Sequence, residues 1–147
     1  MDQSASEIAT LARKILVIKT MKLTEKAAAM IDGKNFGNLA FVTPKGEPHV
    51  SPVWIDREGD TILINAAEFR AKIRFLKVNQ KIMLSITEQE DPYSRVLIRG
   101  HVVVITKNGA LAQNNRMSMK YLGTLDDPDR PVGDRVLIKI QPDSITK

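Results

Sequence analysis

The chain has 147 residues, of which 43% are hydrophobic and only 5% aromatic, and its formal net charge is +5. This length suits one domain with an aliphatic core and excludes global disorder. The absence of cysteine excludes disulfides, thiolate chemistry and cysteine-bound zinc. The positive charge suits an anionic partner, but it is spread along the chain without a basic tail or zinc-finger spacing, which disfavours nucleic acid as that partner.

The N-terminal 21 residues are predicted to form a helical extension. Apolar side chains recur at helical spacing over residues 4–19, and Ser4 with Glu7 matches a capping box. The segment lacks the basic start and the cleavage site of a secretion signal, and no apolar run of the sequence is long enough to span a bilayer. These observations predict a cytoplasmic protein without a membrane partner.

Residues 22–147 follow a pattern of short strands with few helices. A helix is predicted from its cap Thr24 to Ile31, ended by Asp32-Gly33. A second helix is predicted after the third strand, and a third from Asn108 to Leu122, ended by Gly123. Six segments are rich in β-branched and apolar residues and are predicted to be strands: 38–43, 49–55, 61–65, 81–87, 96–106 and 135–140.

The predicted strands indicate a mainly β fold with flanking helices. Tight turns at 44–47 and 57–60 join the first three strands, which predicts that they form a meander. Gly100, inside a long strand, predicts a bulge or a tight bend. Six antiparallel strands favour a closed or nearly closed barrel, because closure removes exposed sheet edges.

A basic cluster follows the third strand. Arg70, Lys72 and Arg74 lie within the first two turns of a predicted short helix, where cations oppose the helix dipole. An anion bound by these side chains and by free N–H groups would explain the placement, and phosphate is the natural candidate. The alternative for this segment taken alone is a solvated basic surface.

Three ordered segments carry a resemblance to a known family. They are residues 46–54 (GEPHVSPVW), 69–76 (FRAKIRFL) and 120–123 (KYLG). Their order and spacing resemble the split β-barrel flavin-binding proteins related to pyridoxamine 5′-phosphate oxidase. The branch assigned to the deazaflavin cofactor F420 is the most similar, and the resemblance covers about residues 22–147.

The resemblance implies a six-stranded antiparallel split barrel of the FMN-binding type. It further implies a homodimer that holds F420 or FMN at the subunit interface. Arg70 and Lys72 match the family's phosphate-binding pair, and Arg74 would either join them or face solvent. In a straight helix Lys72 would point away from Arg70, so the two converge only if Arg70 lies at or before the first turn.

The remaining cofactor contacts implied by the resemblance come from two strands. One strand lies along the ring system and the other approaches the ribityl chain and the phosphate; the matching residues are Ser51, Pro52, Val53, Trp54, Asn65, Ala66 and Ala67. The loop around 93–95 would reach the cofactor of the other subunit. Loops 88–94 and 124–133 would contact the substrate.

Several of these residues also have simpler explanations. Ser51 is equally consistent with an ordinary strand serine, and a lone tryptophan such as Trp54 commonly lies in a core or an interface. His49 could donate a proton near the ring or be a bystander. Lys120 and Tyr121 match the family's helix end, where packing is their expected role.

The sequence therefore predicts an oxidoreductase that transfers a hydride between bound F420 or FMN and a small organic substrate. A flavin supplies its own hydride chemistry, so the lack of a catalytic triad, a carboxylate dyad or a metal cluster in the sequence is consistent with this function. Two alternatives remain open: a non-catalytic flavin or F420 carrier, and a basic barrel that binds nucleic acid.

Overall fold

The computed structural model describes residues 5–8, 21–125 and 134–146. Of the predicted N-terminal helix, only residues 5–8 fall inside these ranges, and they are helical. Across the described ranges, no helix is both long and apolar enough to cross a membrane. From residue 21 onward the described elements are α1 (Glu25–Asp32), β1 (Gly37–Val42), β2 (Pro48–Val53), β3 (Asp56–Glu58), β4 (Thr61–Ala67), α2 (Ala71–Phe75), β5 (Lys81–Thr87), β6 (Arg95–Thr106), α3 (Ala110–Leu122) and β7 (Arg135–Thr146).

The strands form one antiparallel sheet in the order β2-β1-β5-β6-β7-β4-β3. The mainly β class is confirmed, but the described sheet has seven strands rather than the predicted six and is not closed by hydrogen bonds. The additional strand is β3, which covers part of the segment that the sequence predicted as a turn. It is only three residues long, and the chain reverses after it at Gly59, which has a φ of 61°.

The predicted meander is confirmed for its first hairpin, β1 with β2, and wrong for its third strand. Among the described strands β2 pairs only with β1, whereas β4 pairs with β3 and β7. The chain leaves one edge of the sheet after β2 and re-enters at the opposite edge as β3. Residues Trp54 and Ile55 make this crossing, so a two-residue link joins the two edges.

One aliphatic core fills the inside of the curved sheet. Alternate residues of β1, β5, β6 and β7 are buried in it, together with one side of α1. The cap of α1 is the predicted one, because the Thr24 hydroxyl accepts a hydrogen bond from the Ala27 N–H at 3.1 Å. A smaller cluster of Leu63, Ala110 and Leu137 packs the start of α3 against the outer face of β4 and β7.

Gly100 marks a bulge, as the sequence predicted. The register between β6 and β7 shifts between Arg99 and Gly100, and Gly100 lies opposite Pro142. A Cβ on Gly100 would come within 2.6 Å of the Gln141 carbonyl oxygen. Only glycine therefore lets the two longest strands pack this closely.

We expect Gly100→Ala to lower the free energy of unfolding by about 1–3 kcal/mol, because the new methyl group must displace a backbone carbonyl. Denaturant unfolding of the two proteins measures the difference. Arg95→Ala, on an exposed position of the same strand, is the control and should stay within about 0.5 kcal/mol of the parent. Equal stability of Gly100→Ala and the parent would contradict the close approach.

Candidate functional site

The predicted basic cluster lies where β4 ends and α2 begins. Arg70 precedes the first turn of α2, with an extended backbone of φ −68° and ψ 147°. This is the position that lets its side chain converge with that of Lys72. Burial lowers the pKa of Lys72 from 10.5, and the nearby charges of Arg70 and then Arg135 lower it further.

The carboxylates next to this cluster are engaged elsewhere. Glu68 pairs with Lys107 at 3.1 Å, and Asp134 lies 3.7 Å from the same ammonium. Within the described ranges, no carboxylate forms an ion pair with Arg70 or Lys72. The cluster therefore combines a half-buried ammonium with a nearby exposed guanidinium, and no carboxylate of the described ranges pairs with either, which is the electrostatics of an anion site.

Arg74, like Arg70, has an exposed side chain. Its guanidinium lies 5.8 Å from the centre of the Phe75 ring. The Arg70 guanidinium lies 5.5 Å from the centre of the Phe69 ring, which is itself exposed. Of the three predicted cations, Arg70 lies close enough to Lys72 to lower its pKa, whereas Arg74 is not among the charges that do so.

We expect Lys72→Met to raise the stability of the ligand-free protein at neutral pH. A lysine with a lowered folded-state pKa destabilises the folded state wherever it is charged in both states, and this penalty vanishes as pH rises above the unfolded pKa of 10.5. Thermal unfolding across pH 7–10.5 should show a stability gain that shrinks with rising pH. A constant or negative difference would contradict the crowding of positive charge around Lys72.

The three predicted residues of β4 have distinct environments. The side chains of Ala66 and Ala67 are buried, so any contact that they make with a ligand would be through the backbone. The amide of Asn65 donates to the Ala110 carbonyl at 2.7 Å and to Gln113 Oε1 at 2.8 Å. Its oxygen accepts from Arg135 Nε at 2.7 Å, so its polar atoms are committed to α3 and β7.

The predicted ring-binding strand is β2, at the other edge of the sheet. His49, Ser51 and Val53 share one face of it, and Val53 is buried in the core. Ser51 Oγ and His49 Nε2 are both shielded from solvent and have no hydrogen-bond partner among the described residues. A buried polar atom without a partner is unfavourable, so Ser51 Oγ fits a site that a polar ligand edge would complete.

His49 lies against an aromatic ring rather than a carboxylate. Its imidazole is 4.8 Å from the centre of the Phe41 ring, with the two planes tilted by 33°. Pro52, by contrast, is exposed on the opposite face of β2. Ser51 and Pro52 therefore present different sides of the strand, and only one side chain of the pair can face a given ligand.

Trp54 lies in the link between the sheet edges, where the C-terminal end of α3 holds it. Its indole stacks on Tyr121, with ring centres 5.0 Å apart and planes within 5°. The Tyr121 hydroxyl donates to the Asn35 carbonyl at 2.7 Å and accepts from the Ile55 N–H at 3.1 Å. Lys120 Nζ donates to the Ile55 carbonyl at 2.9 Å and also to that of Ile31. These two residues therefore fix the link by hydrogen bonds in addition to packing.

Arg135 is the residue near the cluster that the sequence did not single out. It begins β7 and pairs in register with Ala67, the last residue of β4. The available signal was its position at the start of a strand alternating basic and apolar residues, but the pairing partner of that strand was not evident from the sequence.

Comparison with known proteins agrees with this architecture. Residues 23–147 match the family described as Pyridoxamine 5'-phosphate oxidase, whereas no curated protein matches the chain. The structure of an F420 reductase has 27% sequence identity and a TM-score of 0.73, with 84% of this chain and 98% of that chain covered.

Two further structures share the fold at lower identity. A conserved hypothetical protein from Mycobacterium tuberculosis has 19% identity and a TM-score of 0.65, over 84% of this chain and 82% of that chain. HupZ from Group A Streptococcus has 20% identity and a TM-score of 0.62, over 84% and 91% of the two chains. Since the family match spans nearly all of the chain from β1 to β7, this protein belongs to the pyridoxamine 5′-phosphate oxidase family and has its split-barrel fold.

Proposed function

We propose that this protein binds a phosphorylated flavin or deazaflavin, FMN or F420, and transfers a hydride between it and a small organic substrate. The observation that carries the proposal is the pair of half-buried Lys72 and exposed Arg70, neither of which has a carboxylate partner in the described part of the chain. A phosphate would offset this charge, with Arg70 suited to a bidentate contact and Lys72 to a point-charge contact.

The rest of the predicted site is consistent with such a ligand. Ser51 Oγ, which lacks a partner, would meet a polar edge of the ring system, and the backbone of residues 65–67 would line the ribityl chain. Arg74, which is exposed, would contact the phosphate only if the phosphate extends outward along α2. A bound flavin or deazaflavin supplies the hydride chemistry itself, and the protein's part is to bind it, orient it and exclude water.

F420 is the preferred cofactor of the two. The F420 reductase is 27% identical and is covered over 98% of its length, and a formal net charge of +5 suits a cofactor with an anionic tail. The absorption spectrum of the purified protein, with mass analysis of any released ligand, tests the choice. Titration with both cofactors completes the test, and binding of neither at micromolar concentration would refute the proposal.

Turnover separates the enzyme from a carrier. With the preferred cofactor bound and reduced, steady-state oxidation by a panel of small organic acceptors is the expected result. Tight cofactor binding without turnover of any acceptor would instead favour the carrier function. If the protein bound nucleic acid, its affinity for DNA or RNA would fall steeply with rising salt concentration. The absence of such binding would exclude this function.

The proposed assembly is a homodimer with the cofactor at its interface. On the outer face of β1 and β2, Val42 is 52% exposed and Val50 66% exposed, flanked by the exposed Pro48 and Pro52. Adjacent apolar side chains of this kind are typical of a surface that another subunit covers. Light scattering should give a dimer for the parent and a monomer for Val50→Asp; a monomeric parent would contradict this assembly.

The boundary at residue 21 between the N-terminal extension and the barrel domain stays a prediction.

A further inference from the structure

Arg135 lies near Arg70 and Lys72, which together are called the proposed phosphate clamp, although it is far from them in sequence. Its register partner is Ala67, and three residues later the chain reaches Arg70. The Glu68 N–H donates to the carbonyl of Asp134 at 2.8 Å, which fastens the start of β7 to the connection between β4 and α2. The charge of Arg135 also contributes to lowering the pKa of Lys72, so the two cations act on the same space.

A series of hydrogen bonds through side-chain amides sets the orientation of Arg135. The Ala110 carbonyl can only accept, so it fixes which end of the Asn65 amide carries the NH₂ group. The Asn65 oxygen then faces Arg135 Nε, which can only donate. Gln113 completes the chain, because its oxygen accepts from Asn65 and its NH₂ group lies 3.5 Å from Asp56.

The partner of Arg135 at Nε is a neutral oxygen. The Asn65 amide oxygen fixes the plane of the guanidinium without an ion pair at Nε, whereas a carboxylate at that position would form one. An oriented, charged guanidinium next to Lys72 and Arg70 is the arrangement that recognises a phosphate oxygen.

We propose that Arg135 is a third phosphate-binding cation, supplied by β7, and that Asn65 is its positioning residue. This inference rests on the proposed function and deepens it, because it adds to the clamp a residue from a strand that the phosphate-binding motif does not contain. The ligand group that it recognises is the phosphate and not the ring.

The test compares each cofactor with its phosphate-free form: FMN with riboflavin, and F420 with its deazaflavin core. For the pair of ligands that the parent protein binds, Arg135→Gln should lower the affinity for the phosphorylated ligand by about 10- to 100-fold. This is the loss expected for one charged hydrogen bond. Affinity for the phosphate-free form should change by less than about twofold. Because the ratio of the two affinities is taken on the same folded molecules, a partial loss of folding does not affect it.

Asn65→Ala distinguishes positioning from direct contact. Alone, this change should lower the ratio of the affinity for the phosphorylated ligand to that for the phosphate-free form by less than Arg135→Gln does. Added to Arg135→Gln, it should lower the ratio no further, because its effect acts through Arg135. Arg135→Lys, which keeps the charge but loses the Nε contact, should restore part of the ratio. If Arg135 only holds α3 in place, both single variants would lose stability while the ratio stayed that of the parent.

The outcomes separate this inference from the proposed function. A parent that prefers the phosphorylated ligand, with an unchanged preference in Arg135→Gln, overturns the inference and leaves the function standing. A parent that binds no flavin or deazaflavin overturns the function. In that case, inorganic phosphate should still raise the melting temperature of the parent more than that of Arg135→Gln; equal shifts, or none, overturn the inference as well.

Discussion

The double variant Arg70→Ala with Lys72→Ala is expected to lose at least about 100-fold in affinity for the phosphorylated cofactor, because it removes two charge-assisted contacts. Lys72 is half-buried beside the exposed Arg70, and burial and then the charge of Arg70 lower the pKa of Lys72. Fluorescence titration with FMN and F420 measures the loss. Affinity for the phosphate-free ligands should be retained.

A matched control removes the same amount of charge elsewhere. Lys26 and Lys45 are exposed on α1 and in the turn before β2, and replacing both with alanine also lowers the net charge by two. This control should bind the cofactor like the parent, apart from a small general electrostatic effect. If the control lost as much affinity as the double variant, the cluster would act only through net charge. Near-normal affinity of the double variant would place the phosphate elsewhere.

The second large expected effect is on stability. Lys120→Met should lower the free energy of unfolding by at least about 2 kcal/mol, because it leaves two partly buried carbonyls, those of Ile31 and Ile55, without their donor. Burial lowers the pKa of Lys120, whereas the charges of Asp56 and Asp32 raise it. Methionine keeps the length and apolar stem of the side chain, so the loss reports the ammonium group. Chemical denaturation followed by circular dichroism measures it.

Lys107→Met is the control for this change. Lys107 makes two ion pairs, but its side chain is 60% exposed, so solvent screens both pairs and little stability is expected to depend on them. A loss for Lys120→Met no larger than that of Lys107→Met would show that the link between the sheet edges does not depend on the ammonium.

Local chemistry made parts of this fold predictable from the sequence. The run 81–87 places Ile82, Leu84 and Ile86 at alternate positions and corresponds residue for residue to β5. The cap Thr24 and the left-handed Gly123 marked the start of α1 and the end of α3. β7 was predicted six residues too short. It continues through Pro142, because proline is tolerated opposite the bulge at Gly100.

Strand pairing and the polar contacts of the site were not predictable in the same way. Short turns between successive strands suggested a meander, but burial of both faces of β4 favoured β7 as its neighbour. Arg70 and Lys72 were found because they are two residues apart. Asn65 and Arg135 are 70 residues apart, so their contact exists only after the sheet is assembled.

The link at Trp54 and Ile55 has a consequence for the order of folding events. Its bonds to Lys120 and Tyr121 at the end of α3 join residues 65 and 66 positions apart. The same two side chains also bond to residues 89 and 86 positions away. Contacts of such long range close large loops, so they are expected to form after the local hairpins. Interactions that form after the rate-limiting step of folding affect the unfolding rate more than the folding rate. The hydrogen bonds from Lys120 and Tyr121 to this link are therefore expected mainly to slow unfolding.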